Sequence, residues 1–154
     1  MTNISIRQCT IAEIEQADTL QGLLEDYGRE SAVCELGAPA PSWPIYYKME
    51  ECGGLAAIGA FSPEGLVGMA LILIYGLPHY SGRCVAAMES LFVSPKYRRG
   101  GTGMKLLKEA EQHSASRGAI ALLVSAPEGS RLAEVLGRTS GYRCSNRIFT
   151  KALQ

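Results

Sequence analysis

The sequence predicts one mixed α/β domain over residues 1–154, and three stretches carry that expectation. Leu55–Phe61 and Leu66–Tyr75 are apolar runs separated by Ser62-Pro63-Glu64-Gly65, a turn that joins antiparallel strands. Arg83–Val93 is a long apolar run that leads through a glycine-rich turn into a run of helix formers and then into Ile120–Val124. Strand, helix and strand at this spacing form a right-handed crossover, which places 120–124 parallel to 88–93. Ile4-Ser5-Ile6-Arg7 alternates as a half-buried strand does.

The remaining elements follow from local signals. Thr10 and Glu13 have capping-box spacing, and Ile11, Ile14, Ala17, Leu20 and Leu24 recur at helical intervals. A helix over 11–27 is expected, with Gly28 as its stop. Gly37, Pro39, Pro41 and Pro44 mark a loop, and Ser42 starts a second helix that ends near Gly53-Gly54. Tyr27, Trp43, Tyr46 and Tyr47 cluster here; they read either as core packing or as the wall of a substrate site. Gly76–Gly82 is a loop. The length and apolar character of Arg83–Val93 place it centrally in the sheet. Beyond Gly118, strand 120–124 is followed by a short helix from Ser130 to Leu136 and a last strand over Arg147–Lys151.

Composition excludes several classes. The 15 basic and 15 acidic residues cancel, so no general field draws the chain to nucleic acid or an anionic membrane. The longest apolar run, Leu66–Leu77, includes two glycines and is too short to span a bilayer. Five cysteines, with no C-x-x-C pair, argue against a disulfide framework or a structural zinc and for free thiols in a reducing compartment. The N-terminus has no basic segment followed by an apolar core, so a cytoplasmic protein is expected. Neither His79 nor His113 has a neighbour at metal-ligand spacing, and no metal is expected.

The chemistry concentrates in residues 88–104. Pro95 ends the strand, since it lacks an N–H for a ladder. Gly100, Gly101 and Gly103 then bare the backbone where a helix begins, and free amides with the positive end of a helix dipole favour an anion. Arg98 and Arg99 add cations suited to phosphate oxygens. Thr102 and Met104 complete the cradle, and Glu89 is the one carboxylate on the strand leading into it. A bland turn before a helix would share part of this pattern. The P-loop spacing is absent, and the dinucleotide fingerprint fails because its third glycine position holds Leu106.

Arg98-x-x-Gly101-x-Gly103 resembles the acetyl-CoA-binding motif of the GNAT acetyltransferase superfamily, [QR]-x-x-G-x-[GA], and the preceding Glu-x-Leu-x-Val-x-Pro resembles that family's central strand. The match is strong over residues 87–118 and loose elsewhere. It implies a mixed, mostly antiparallel sheet with helices on both faces and a parallel, splayed strand pair. It implies acetyl-CoA as cosubstrate, its pyrophosphate in the cradle and its pantetheine arm on the backbone of Leu91, Phe92 and Val93. It implies a bulge in that strand, which would free N–H donors for an oxyanion, and a role for Ser130, at the start of the last helix, against the arm. Glu89 matches the glutamate that many members use as a general base; the alternative is a carboxylate held by a neighbouring cation or amide. The expected activity is direct attack of an amine, small-molecule or peptide, on the bound thioester. The family also allows a homodimer. The chain departs from the pattern in two places: Gly137 stands where many members carry a tyrosine as general acid, and Ser130 where an asparagine is usual. A non-catalytic acyl-CoA-binding module is therefore the competing expectation.

Overall fold

A computed structural model describes residues 3–31 and 33–153. The chain divides into two compact units, Met1–Leu123 and Val124–Gln154. The first holds a five-stranded sheet in sequential order: β1 (Ser5–Cys9), β2 (Leu55–Ser62), β3 (Gly65–Leu77), β4 (Arg83–Val93) and β5 (Leu122–Leu123). The first three pairings are antiparallel, and β4 with β5 is parallel. Four helices accompany the sheet: α1 (Ile11–Glu15), α2 (Leu20–Glu30), α3 (Trp43–Glu51) and α4 (Thr102–Ser116).

The capping box forms as expected. Thr10 accepts from the Glu13 amide, and the Glu13 carboxylate accepts from the Thr10 amide at 2.9 Å. The single helix expected over 11–27 is instead two, α1 and α2, and the second runs past Gly28 to Glu30. Periodicity does not register the break, because a tertiary contact makes it. The Thr19 hydroxyl, which would otherwise cap α2, donates to the Leu66 carbonyl on β3 at 2.6 Å. The kink lets Ile11 and Ile14 of α1 and Leu20 and Leu23 of α2 enter one apolar cluster with Leu55, Ala57, Met69, Leu71 and Phe92. Ser42 stands at the N-cap position of α3 without a side-chain capping bond, and Pro44 lies in the first turn, where a missing N–H costs nothing.

The other sheet face is covered by α4. Ile58, Ala60, Ala70 and Ile72 lie outside the α1–α2 cluster and are fully buried, as are Leu106, Leu107 and Ala110 of α4. Helices therefore flank both faces. Gly68 makes the close approach of β3 to β4 tolerable: an added Cβ would lie 2.9 Å from the Phe92 carbonyl oxygen and 3.0 Å from Val93 Cγ2. Since backbone would have to move, Gly68→Ala is expected to cost about 1–3 kcal/mol, read as a lower urea midpoint at unchanged slope.

Two other expectations fail at the sheet's end. The strand over 120–124 shortens to Leu122–Leu123, and it pairs with Ala86 and Ala87 rather than with residues 88–93. The last strand expected over 147–151 does not form: among the described residues the second unit has one helix, α5 (Arg131–Arg138), capped by Ser130, and no strand. Ile148 and Phe149 are exposed there, so the apolar pattern lacks the neighbour a strand needs.

His113 on α4 is buried enough to matter for stability. Desolvation first, then the Arg117 charge, lowers its pKa below the ordinary 6.5, and neither ring nitrogen has a partner among the described residues. The unfolded chain therefore takes up the proton first. Stability contributed by neutral His113 is full above pH 6.5 and is lost as pH falls toward the lower folded value. His113→Gln is expected to shrink the drop in urea midpoint between about pH 7 and about pH 5.

Candidate active site

The site is built on an irregularity in β4. Leu71 of β3 pairs with Ser90, yet Ile72 pairs with Met88, so Glu89 is an extra residue in a β-bulge. The bulge changes strand parity. Leu91 and Val93 pair with Ala70 and Gly68, on the α4 side, whereas Phe92 pairs with Met69 on the other. Simple alternation groups Glu89 with Leu91 and Val93. Instead its carboxylate turns toward α3, where Oε1 accepts from the Tyr46 hydroxyl at 2.8 Å.

Aromatic side chains lie on one side of this exposed carboxylate. Tyr27 of α2 meets Phe92 edge to face at 5.3 Å, and Trp43 lies 6.1 Å from Tyr46. Both expected roles of the aromatic cluster are thus compatible with its placement: Tyr27, Trp43 and Tyr46 pack against the apolar cluster, and two of them border Glu89. Tyr47 turns away and donates to Glu15. Burial first, then the hydrogen bond and charge of Glu89, hold the Tyr46 phenol far above its ordinary value of 10. Tyr27 is raised by burial and next by the Glu89 charge. Ser90, beside the bulge, is buried, and its hydroxyl has no partner among the described residues. Such an orphan costs about 1–3 kcal/mol unless water or a ligand group binds it.

Downstream of Glu89 the β4 edge is open. The parallel ladder covers Ala86 and Ala87, with backbone bonds from the Ile120 amide to the Cys84 carbonyl and from the Ala86 amide to the Ala121 carbonyl, and among the described residues no strand pairs with 88–93 on that side. β5 thus pairs with the earlier part of β4, and on that side the backbone of Leu91, Phe92 and Val93 has no ladder partner among the described residues.

The glycine-rich turn closes this path. After Pro95–Tyr97, one turn of 3₁₀ helix, Gly100 and Gly101 take φ of +99° and +79°, conformations that disfavour a Cβ. Gly101 is the N-cap of α4, and the first intrahelical donor is Lys105, whose N–H reaches the Gly101 carbonyl at 3.0 Å. The amides of Thr102, Gly103 and Met104 precede it and have no intrahelical acceptor. A Cβ at Gly100 or Gly101 would meet nothing within 4 Å, so the turn itself is not packed against other side chains at these two positions. Thr102 is buried and locks the turn, its hydroxyl donating to the Tyr97 carbonyl at 2.8 Å.

Arg98 serves the frame as much as the space it borders. Its Nε donates to the Val93 carbonyl at 2.9 Å, its Nη2 pairs with Glu30 at 2.8 Å, and its guanidinium lies over Phe92. Arg99 is exposed. Ser130 belongs to the second unit, where its side chain accepts from the Ala133 amide at 3.2 Å. A hollow of about 420 Å³ lies elsewhere, with Asp18, Glu25, Asp26 and Glu64 in its lining; four carboxylates do not suit an anion. No group of His, Cys, Asp and Glu among the described residues could hold a metal, and no helix among them is long and apolar enough to cross a membrane. Sequence reasoning assigned Glu89 and the turn, but left Tyr46 among four clustered aromatics; only that clustering pointed to it.

Solved structures with this fold include an acetyltransferase from Trypanosoma brucei, 24% identical, with TM-score 0.70, 98% of this chain and 100% of that one covered. An aminoglycoside acetyltransferase from an uncultured soil metagenomic sample is 16% identical with TM-score 0.75, covering 98% and 97%. A third, AAC(6′)-Iy in complex with the bisubstrate analogue CoA-S-monomethyl-acetylneamine, is 15% identical with TM-score 0.71, covering 99% of each chain. No curated protein sequence matches significantly. The model of the acetyltransferase (GNAT) family matches residues 20–137, a span that holds the bulge, the parallel strand pair and the glycine-rich turn, and the chain belongs to that family.

Proposed function

We propose that this protein is an acetyl-CoA-dependent N-acetyltransferase that acts on an amine by direct transfer in a ternary complex. What supports the reading most is the placement of Glu89, the extra residue of a β-bulge just beyond the parallel ladder of β4. The turn suits the cosubstrate's diphosphate, since two uncrowded glycines with positive φ lead into three amides with no intrahelical acceptor. Residues 98–104 would hold that group, with Arg99 and the helix dipole adding positive charge. Backbone amides of Leu91, Phe92 and Val93 would guide the arm, and Ser130 is assigned to it by family resemblance alone.

Acetyl-CoA supplies an acyl group activated as a thioester. Glu89 takes a proton from the acceptor nitrogen, so that its lone pair is free to attack. The N–C bond forms, the C–S bond breaks, and CoA leaves as a thiolate that solvent can protonate. The aminoglycoside acetyltransferases among the structural neighbours support a small-molecule amine as acceptor. Gly137, where a tyrosine is usual, favours the second reading, an acyl-CoA-binding module without turnover.

The test is CoA release from acetyl-CoA over an amine panel, followed by chromatography because Cys34, Cys52 and Cys144 are exposed and would consume thiol reagent. Steady amine-dependent release is expected. Tight acetyl-CoA binding with no release for any amine would establish the module instead.

A further inference from the structure

We propose that Tyr46 is a positioning residue for Glu89, fixing one carboxylate oxygen so that the other meets the acceptor amine. The inference rests on Glu89 acting as the base. Tyr46 lies 43 residues from Glu89 in the chain, yet its hydroxyl donates to Glu89 Oε1 at 2.8 Å. Its ring is anchored: it sits in α3 beside Trp43, and both pack against the apolar cluster shared with α1 and α2. Glu89 by contrast is exposed at a bulge, and among the described residues no cation forms an ion pair with it. A glutamate side chain in water samples many rotamers, and holding it still has an entropic cost. A phenol on a packed ring meets that cost in advance, as proximity catalysis requires.

The occupied and free oxygens have different duties. An ionised carboxylate has about four acceptor positions. Tyr46 takes one on Oε1, which leaves Oε2 to receive the amine proton while the N–C bond forms and the C–S bond breaks. Tyr46 itself stays a neutral donor, since burial and the adjacent Glu89 charge both oppose phenolate. Its proton is committed to Glu89, so Tyr46 is not assigned the role of the missing tyrosine as acid.

A double-mutant cycle on the intact protein tests this. Tyr46→Phe keeps the ring and removes the donor. It is expected to lower kcat about ten- to hundredfold with the KM for acetyl-CoA and the melting temperature nearly unchanged. In a Glu89→Gln background the same replacement should change kcat by less than about twofold, because it acts only through the carboxylate. A wild-type kcat for Tyr46→Phe, with Glu89→Gln slow, would overturn the positioning role and leave the base intact. An equal loss in both backgrounds would make Tyr46 a structural wall and overturn it also. A wild-type rate for Glu89→Gln would instead remove the base itself. If Tyr46→Phe melts early, isothermal binding of acetyl-CoA separates lost fold from lost rate: full affinity with full kcat overturns the proposal, and full affinity with a low kcat that is not lowered further in the Glu89→Gln background upholds it.

Discussion

Gly101→Glu is expected to abolish acetyl-CoA binding. Two effects add. Gly101 has φ +79°, ψ +21°, and an L side chain there costs about 1–2 kcal/mol. More important, the new carboxylate would stand at the N-cap of α4, next to where a diphosphate should sit, with nothing within 4 Å of its Cβ to hold it away. One pair of like charges about 5 Å apart at an effective dielectric near ~20 costs about 3 kcal/mol, and a diphosphate carries more than one charge. A loss of at least about a hundredfold in affinity follows. Gly101→Ala isolates the backbone effect: it carries the same φ penalty without the charge and should bind far better than the glutamate variant. Isothermal titration with CoA decides the matter, and unchanged affinity for Gly101→Glu would remove the cradle from the proposed function.

Glu89→Gln should act on turnover and spare binding. The amide keeps the size of the side chain and can still accept from Tyr46, so the bulge and its hydrogen bond persist. It cannot take a proton at neutral pH. Loss of a positioned general base lowers kcat by about a hundredfold or more. Affinity for CoA should stay within about twofold, since the cradle begins beyond Val93. The deficit should narrow at high pH, because an alkyl amine with pKa near ~10 loses its proton to solvent there and needs no base. A deficit that stayed constant with pH would assign Glu89 to packing or to acceptor binding.

Local rules account for what the sequence determined by itself. The Thr10–Glu13 capping box, the hairpin at 62–65, the stop at Pro95 and the glycine cap of α4 depend on groups within a few residues of one another. Composition over such short windows sufficed. The glycine-rich turn was legible for the same reason, and so was Glu89, which lies a short step upstream. What the tertiary structure decided involves partners far apart in the chain. The Thr19 hydroxyl meets Leu66 and breaks a helix that periodicity would continue. The strand pattern at 147–151 finds no partner to complete it. The extra residue in β4 is visible only against the register of β3, and it turns Glu89 away from the face that alternation assigns to it. Tyr46 reaches that carboxylate from 43 residues away. Side-chain chemistry is written along the chain, whereas the direction in which a carboxylate points is set by what packs around it.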